Sequence, residues 1–295
     1  MDIKKLYGSI VALVTPFDDN GAIDFPAFDG LIEFHLQNGT SSILISGTTG
    51  EGPTITGDEL KTMLSRARTI AGDEYPLMAG TGTNSTLSTI QRTKIAAECG
   101  ADFALIVGPY YNKPTQEGFY RHFESINKEV DIPLIVYNVP GRTGSNILPE
   151  TVVRLFGLPG IVGIKEASGD LKQIQKLLEI KSENEFVLSG DDALTLSIIA
   201  LGGIGVISVV ANEMPSEMSE LVSSALSGNL VQAQNLQDKM LPMMEANFIE
   251  SNPIPVKYAL SKMGMISETY RLPMLSLESS SKEKMDDILK SSGLI

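Results

Sequence analysis

The amino-acid sequence predicts an α/β protein, a (β/α)8 TIM barrel followed by a small all-helical C-terminal domain. Short apolar runs recur at intervals of roughly 28 residues with amphipathic segments between them, which is typical of parallel βα units. Eight such runs can be counted, and eight parallel strands with crossover helices close into a barrel. The chain has 295 residues, enough for one barrel of about 250 residues and an appendage.

The eight predicted strands lie in the first three quarters of the chain. Each is a run of apolar or small residues, which is the pattern of a strand that is buried on both faces. The predicted strands are centred on residues 10–15, 42–46, 76–80, 103–107, 133–137, 161–165, 186–189 and 205–209.

The segments between the predicted strands contain helix signals. Thr56 and Glu59 have the spacing of a capping box, and Gly72 is a typical helix stop. Between these signals the apolar residues recur at helical spacing and predict one buried face. The residues of this face are Leu60, Met63, Leu64, Ala67 and Ala71.

After about residue 225 the alternation of strands and helices stops. Residues 230–241, 253–263 and 282–289 are predicted to form helices, and Pro242 is expected to bend or end the first of them. We therefore divide the chain into a barrel domain, residues 1–225, and a helical domain, residues 226–295. No low-complexity linker separates the two.

Composition argues against several classes of function. The net charge of -13 and the pI near 4.7 give nucleic-acid phosphates no electrostatic reason to bind. The sequence contains no apolar run of 18 residues, and no cleavage site follows its first apolar segment, so we expect neither a membrane span nor a signal peptide. The single Cys99 excludes an intrachain disulfide. The expected location is the cytoplasm.

The sequence does not predict a metal site. His35 and His122 are far apart, and with Cys99 they do not form the ligand spacing of a His/Cys site. The neighbouring Asp191 and Asp192 can attract a hard cation, but we expect this pair to be a solvated loop end.

The run I-V-G-I-K-E, residues 161–166, places Lys165 at the end of a predicted buried strand. Desolvation disfavours the ammonium form, so a lysine at this position loses its proton more readily and can form a Schiff base with a carbonyl. On this segment alone, a lysine that reaches solvent or pairs with Glu166 is the commoner case.

Polar residues follow several of the other predicted strands, and in a barrel the loops after the strands build the active site. The glycines of G-T-T-G-E, residues 47–51, expose backbone N–H groups that suit a carboxylate. Tyr110 and Tyr111 follow the fourth strand, and Tyr137 ends the fifth. Phenol and hydroxyl groups can move the protons that imine formation requires.

Seven motifs carry a resemblance that spans nearly the whole chain. They are G-T-T-G-E (47–51), P-Y-Y-N (109–112), Y-N-V-P-G-R-T-G (137–144), G-I-K-E (163–166), S-G-D-D (189–192), G-V-I-S-V (205–209) and N-P-I-P-V-K (252–257). In this order they resemble the dihydrodipicolinate synthase family, part of the Schiff-base barrel lyases that include N-acetylneuraminate lyase. The resemblance implies an enzyme that condenses pyruvate with L-aspartate 4-semialdehyde, without a metal or organic cofactor. The implied product is 4-hydroxy-tetrahydrodipicolinate, the first committed intermediate of diaminopimelate and lysine biosynthesis.

The resemblance also implies a role for individual residues. Lys165 matches the lysine that condenses with pyruvate, and Tyr137 matches the proton donor and acceptor above the imine. Thr48 and Tyr111 match the rest of a proton relay to solvent, with Tyr111 supplied by the neighbouring subunit. Oligomerisation is then part of the mechanism, and we expect a homotetramer built as a dimer of dimers rather than a dimer. The implied substrate-binding residues are Thr49, Arg142, Gly190 and Ile207.

Some members of the resembled family are inhibited by L-lysine, which binds at a subunit interface. Asn84 and Tyr110 agree with that effector site. Where sensitive members have two histidines and a glutamate, this chain has Gly57, Leu60 and Ser88. We therefore expect a vestigial effector site with weak or absent inhibition by L-lysine.

Two alternative functions remain open at this stage. One is another pyruvate-dependent aldolase of the same barrel group, such as an N-acetylneuraminate lyase, although Arg142 favours a substrate with a carboxylate over a polyhydroxylated sugar chain. The other is a binding barrel that has lost catalysis. The combined presence of Lys165, Tyr137, Tyr111, Thr48 and Arg142 argues against it.

Overall fold

The barrel follows directly from eight short apolar segments that pair in chain order. The structure is a computed structural model that describes residues 3–295. Within them the strands form a closed sheet in which every pairing is parallel and the last strand pairs with the first. The strands are β1 Gly8–Ala12, β2 Ser42–Ile45, β3 Leu77–Gly80, β4 Phe103–Val107, β5 Leu134–Asn138, β6 Ile161–Glu166, β7 Phe186–Ser189 and β8 Gly205–Ser208. The predicted barrel is confirmed, and the largest difference in strand bounds is at β1.

Alternate residues of each strand face opposite sides of the barrel wall. Leu105, Ile135 and Leu188 belong to the hydrophobic cluster inside the barrel. Their neighbours Ile106 and Val136 belong to a second cluster, between the sheet and the helices. Because both faces are buried, the strands read in the sequence as continuous apolar runs.

Twelve helices surround or follow the described strands. The helix α2 begins where the sequence predicts, at a capping box. The Thr56 hydroxyl accepts from the N–H of Glu59, and the Glu59 carboxylate accepts from the N–H of Thr56 at 2.8 Å. Gly72 ends this helix with a φ of 77°. The helices are α1 Phe25–Gln37, α2 Gly57–Ala71, α3 Thr86–Glu98, α4 Gln116–Glu129, α5 Pro140–Thr143, α6 Pro149–Phe156, α7 Leu171–Ile180, α8 Thr195–Ala200, α9 Pro215–Leu226, α10 Leu230–Ala246, α11 Ile254–Lys262 and α12 Ser279–Ser291.

After β8 the part of the chain that the structure describes forms no further strand, and loops join the helices α9 to α12, the longest of them over residues 263–278. The helix α10 runs through Pro242 to Ala246, so the expectation that Pro242 ends it is wrong. Met240 and Met243 on either side of the proline are fully buried in the cluster that also contains Met214 beside β8, and this packing offsets the missing N–H. The proposed boundary between residues 225 and 226 stays a prediction.

Candidate active site

A cavity of about 420 Å³ opens at the carboxyl ends of the strands. The loops after β2 to β7 contribute to its wall, as expected for a parallel barrel. Most of the residues predicted to bind or convert a ligand meet in this cavity. These are Thr48, Thr49, Tyr110, Tyr137, Arg142, Lys165 and Gly190.

Lys165 lies near the end of β6, directly beside Tyr137 in the β5–β6 ladder. Its side chain is 6% exposed, and Nζ lies 4.6 Å from the centre of the Tyr137 ring. Burial lowers the pKa of Lys165 to about 8, with Arg142 acting in the same direction and the carboxylates of Asp192 and Asp191 opposing it. The amine is therefore neutral in an appreciable fraction of molecules near pH 7 to 8.

Glu166 does not pair with Lys165. Its carboxylate accepts from Nδ2 of Asn138 at 3.2 and 3.1 Å and from the backbone N–H of Ser168 at 2.7 Å. The alternative in which Lys165 pairs with Glu166 is therefore wrong. Asn138 and Glu166 are opposite each other in the ladder, one position beyond Tyr137 and Lys165. This outer pair fixes the register that places the tyrosine beside the lysine.

Tyr137 is buried, and Thr48 lines the same cavity. Burial raises the pKa of the Tyr137 phenol, whereas the charge of Arg142 and the Thr48 hydroxyl lower it. The phenol is therefore protonated in the pH range in which the Lys165 amine becomes neutral. An amine from β6, a phenol from β5 and a hydroxyl from the turn after β2 thus line one cavity, an arrangement suited to nucleophilic attack with proton transfer.

Arg142 lies in α5, the short helix after β5, and reaches the cavity. One of its terminal nitrogens donates to the backbone O of Asn252 at 3.3 Å. Within residues 3–295 no carboxylate oxygen lies within the 4.0 Å that defines an ion pair with this guanidinium. Its planar fork is therefore free to bind an external carboxylate.

Three predicted residues do not line the cavity. Tyr111 is 88% exposed, with a φ of 71° that is unusual for a tyrosine. Ile207 is buried in β8 within the interior cluster. Asn84 is half-buried, and its backbone O accepts from Nδ2 of Asn112 at 2.8 Å. Their proposed roles stay predictions.

The expectation that Asp191 and Asp192 form a solvated loop end is wrong for Asp192. It is buried, and its Oδ2 accepts from the backbone N–H groups of Val209 at 3.0 Å and Val210 at 2.9 Å. The two amides offset the cost of burying the carboxyl group, which raises its pKa. Sequence reasoning missed this contact because it joins residues 17 and 18 positions apart.

No group of three or more His, Cys, Asp or Glu residues within 3–295 is arranged to hold a metal ion. In the same part of the chain, every helix is too short or too polar to span a bilayer.

A closed parallel barrel with a buried lysine on β6, beside a tyrosine on β5, defines a class of lysine-containing (β/α)8-barrel enzymes. Comparison with known proteins is more specific, because the model of the dihydrodipicolinate synthetase family matches residues 5–292. The chain belongs to this family and is an enzyme.

Individual relatives agree over their full length. Two proteins named 4-hydroxy-tetrahydrodipicolinate synthase, from Thermodesulfovibrio yellowstonii and Syntrophus aciditrophicus, are 50% and 49% identical over 288 residues, which is 98% of this chain and 99% of each relative. The crystal structure of the chloride-inhibited dihydrodipicolinate synthase from Acinetobacter baumannii complexed with pyruvate is 44% identical. It matches with a TM-score of 0.96 over 98% of this chain and 100% of that one.

Proposed function

We propose that this enzyme condenses pyruvate with L-aspartate 4-semialdehyde to form 4-hydroxy-tetrahydrodipicolinate. The observation that carries the proposal is the buried Lys165 amine, whose pKa is lowered to about 8, beside the Tyr137 phenol in the cavity. The names of the relatives, at about half identity over the whole chain, support the same reaction.

The reaction begins when the neutral amine of Lys165 attacks the ketone carbon of pyruvate. Tyr137 donates a proton to the oxygen that leaves as water, and the carbinolamine becomes an imine. Loss of a methyl proton gives an enamine, whose carbon adds to the aldehyde carbon of the second substrate. The amine of that substrate then attacks the imine carbon, which closes the ring and releases Lys165. Thr48, in the same cavity as Tyr137, returns protons to the phenol.

The two substrate carboxylates have separate binding elements. The turn between residues 47 and 51 binds the carboxylate of pyruvate through Thr48 and Thr49, and Arg142 binds that of the aldehyde. Gly190 leaves room for the nucleophile, because a Cβ at this position would lie 3.0 Å from Cε of Lys165. Ile207 contributes backbone groups from β8.

Tyr111 completes the proton relay from a second copy of the chain. Its side chain is exposed on the single chain, so it is accessible to the cavity of a second copy. The assembly is a homotetramer of two such dimers.

A substrate assay separates the proposal from its alternatives. Purified enzyme is given pyruvate with either L-aspartate 4-semialdehyde or N-acetylmannosamine, and pyruvate loss is followed. We expect consumption with the semialdehyde. Turnover with the sugar alone would instead identify a sialic acid lyase, and no consumption with either aldehyde would identify a binding barrel.

The rate of imine formation is expected to rise with pH. Only the neutral amine attacks, so with a pKa of about 8 the rate falls about tenfold per unit below about pH 7 and levels off above about pH 9. The measurement is the initial rate of pyruvate-dependent borohydride trapping between about pH 6 and 9.5. Because Arg142 helps to lower this pKa, Arg142→Leu should move the midpoint upward. A wild-type midpoint near the ordinary 10.5 would contradict the prediction.

Inhibition by L-lysine is expected to be weak or absent. Leu60 is fully buried in the core, Gly57 has no side chain, and Ser88 carries no charge, so none of the three can neutralise an ammonium group. Steady-state assays at saturating substrates, with L-lysine titrated into the millimolar range, test this. Half-maximal inhibition at sub-millimolar L-lysine would show that the effector site is intact.

A further inference from the structure

Glu51 and Lys257 are the last residues of the motifs G-T-T-G-E and N-P-I-P-V-K, and the mechanism above uses neither side chain. They are 206 positions apart, yet Nζ of Lys257 donates to Oε1 of Glu51 at 2.5 Å. Their side chains are 0% and 2% exposed. Among the ion pairs within residues 3–295, no other has both partners fully buried.

A buried ion pair is weak evidence for a role in stability. Removing two charges from water carries a large desolvation cost, and apolar residues of the same volume often give an equally stable fold. Here the ammonium also lies 4.3 Å from the centre of the Phe17 ring, which recovers part of that cost. The local backbone geometry that the pair fixes is therefore a better explanation of it than added stability.

The geometry in question is that of the turn between residues 47 and 51. Ser46, which precedes the turn, and Glu51, its last residue, have φ values of 59° and 51°, a left-handed conformation that is unfavourable for residues with a side chain. The turn closes through hydrogen bonds from the N–H of Glu51 to the O of Thr48 at 3.1 Å and from Gly52 to Gly47 at 3.0 Å. The conformation of Glu51 therefore determines where the Thr48 and Thr49 groups point.

Both carboxylate oxygens of Glu51 are held by the C-terminal part of the chain. Oε1 accepts from Lys257, and Oε2 accepts from the backbone N–H of Arg271 at 3.1 Å. The segment that begins with Asn252 touches the same turn again, since Nδ2 of Asn252 donates to Oγ1 of Thr49 at 3.0 Å. The backbone O of Asn252 also accepts from Arg142 at 3.3 Å. One segment therefore contacts both elements proposed to bind substrate carboxylates.

We propose that Glu51 and Lys257 are positioning residues, whose ion pair holds the turn 47–51 in the conformation that binds the carboxylate of the keto acid. The inference rests on the proposed function, because it assigns the turn to pyruvate. It predicts that disturbing the pair weakens pyruvate binding far more than it slows the chemical steps.

Glu51→Asp is the sharpest test. Aspartate keeps the charge and tolerates a left-handed φ better than glutamate does, but it is one methylene shorter and draws the turn towards Lys257. We expect the pyruvate concentration for half-maximal borohydride trapping, and the KM for pyruvate, to rise about tenfold, with kcat at saturation within about threefold of the wild type. The double variant Glu51→Gln/Lys257→Met leaves no unpaired buried charge, so it should fold and show the same increase.

The matched control is Glu217→Gln/Lys239→Met, which removes an ion pair of the same residue types between α9 and α10. This control should leave the KM for pyruvate and kcat unchanged. An equal rise in KM for the control would remove the support for a specific role of Glu51 and Lys257. If the wild type is trapped by pyruvate and the folded variants half-saturate at the wild-type concentration, the positioning role is wrong. If the wild type is not trapped at all, the proposed function fails instead.

Discussion

Lys165→Met is expected to abolish condensation, lowering turnover by at least about a thousandfold, because no other group in the cavity can form the imine. The folded state should survive. Methionine has a similar length, and a methionine at this position removes a buried amine. The folded-state pKa of Lys165 lies below the ordinary 10.5, so burial of this amine destabilises the fold below about pH 10.5, and the full effect is present below about pH 8. The free energy of unfolding at pH 7 should therefore rise, by on the order of 3 kcal/mol.

Peptide mass analysis after borohydride reduction measures the first effect, and thermal denaturation measures the second. With pyruvate, the wild type should gain mass only on the peptide that contains residue 165, and the variant should gain none. Lys172→Met is the matched control, because Lys172 is exposed on α7 only seven positions away. A modified peptide elsewhere, or turnover retained by Lys165→Met, would assign the nucleophile to another residue.

The barrel was predictable because its strands are buried on both faces and therefore appear as separate apolar runs. The bounds of β1 could not be predicted in this way. Leu13 and Val14 are as buried as the residues of β1, but the N–H of Val14 donates to Oδ1 of Asn212 at 3.1 Å instead of continuing the ladder. Asn212 follows β8, so the residue that takes over this hydrogen bond is 198 positions away. Local periodicity contains no information about such a partner.

The candidate site likewise contains residues that the sequence predicted and contacts that it did not. Lys165 and Tyr137 were predictable because each ends an apolar run, and neighbouring parallel strands bring their ends together. The groups that orient them were not identified, since the Asn138–Glu166 and Glu51–Lys257 contacts depend on tertiary packing. The sequence shows which side chains have the required chemistry, whereas the hydrogen-bond partners that fix their orientation require the structure.

Tyr137→Phe is expected to lower kcat by about 10²- to 10³-fold while the imine still forms. The ring stays in place, so the packing against Lys165, 4.6 Å from Nζ to the ring centre, is retained. The variant loses only the hydroxyl that supplies and removes protons during dehydration and enamine formation. Borohydride trapping after long incubation should therefore reach the wild-type extent, but more slowly.

Tyr75→Phe provides the comparison for this experiment. The Tyr75 hydroxyl donates to the backbone O of Thr40 at 2.7 Å and lies outside the cavity, so its loss should cost only about 0.5–1.5 kcal/mol of stability and leave kcat unchanged. Because each variant removes one phenolic hydroxyl, a difference in kcat between them reports on proton transfer rather than on the lost hydrogen bond. If Tyr137→Phe keeps kcat within about threefold of the wild type, another group must carry the proton, and Thr48 in the same cavity is a candidate.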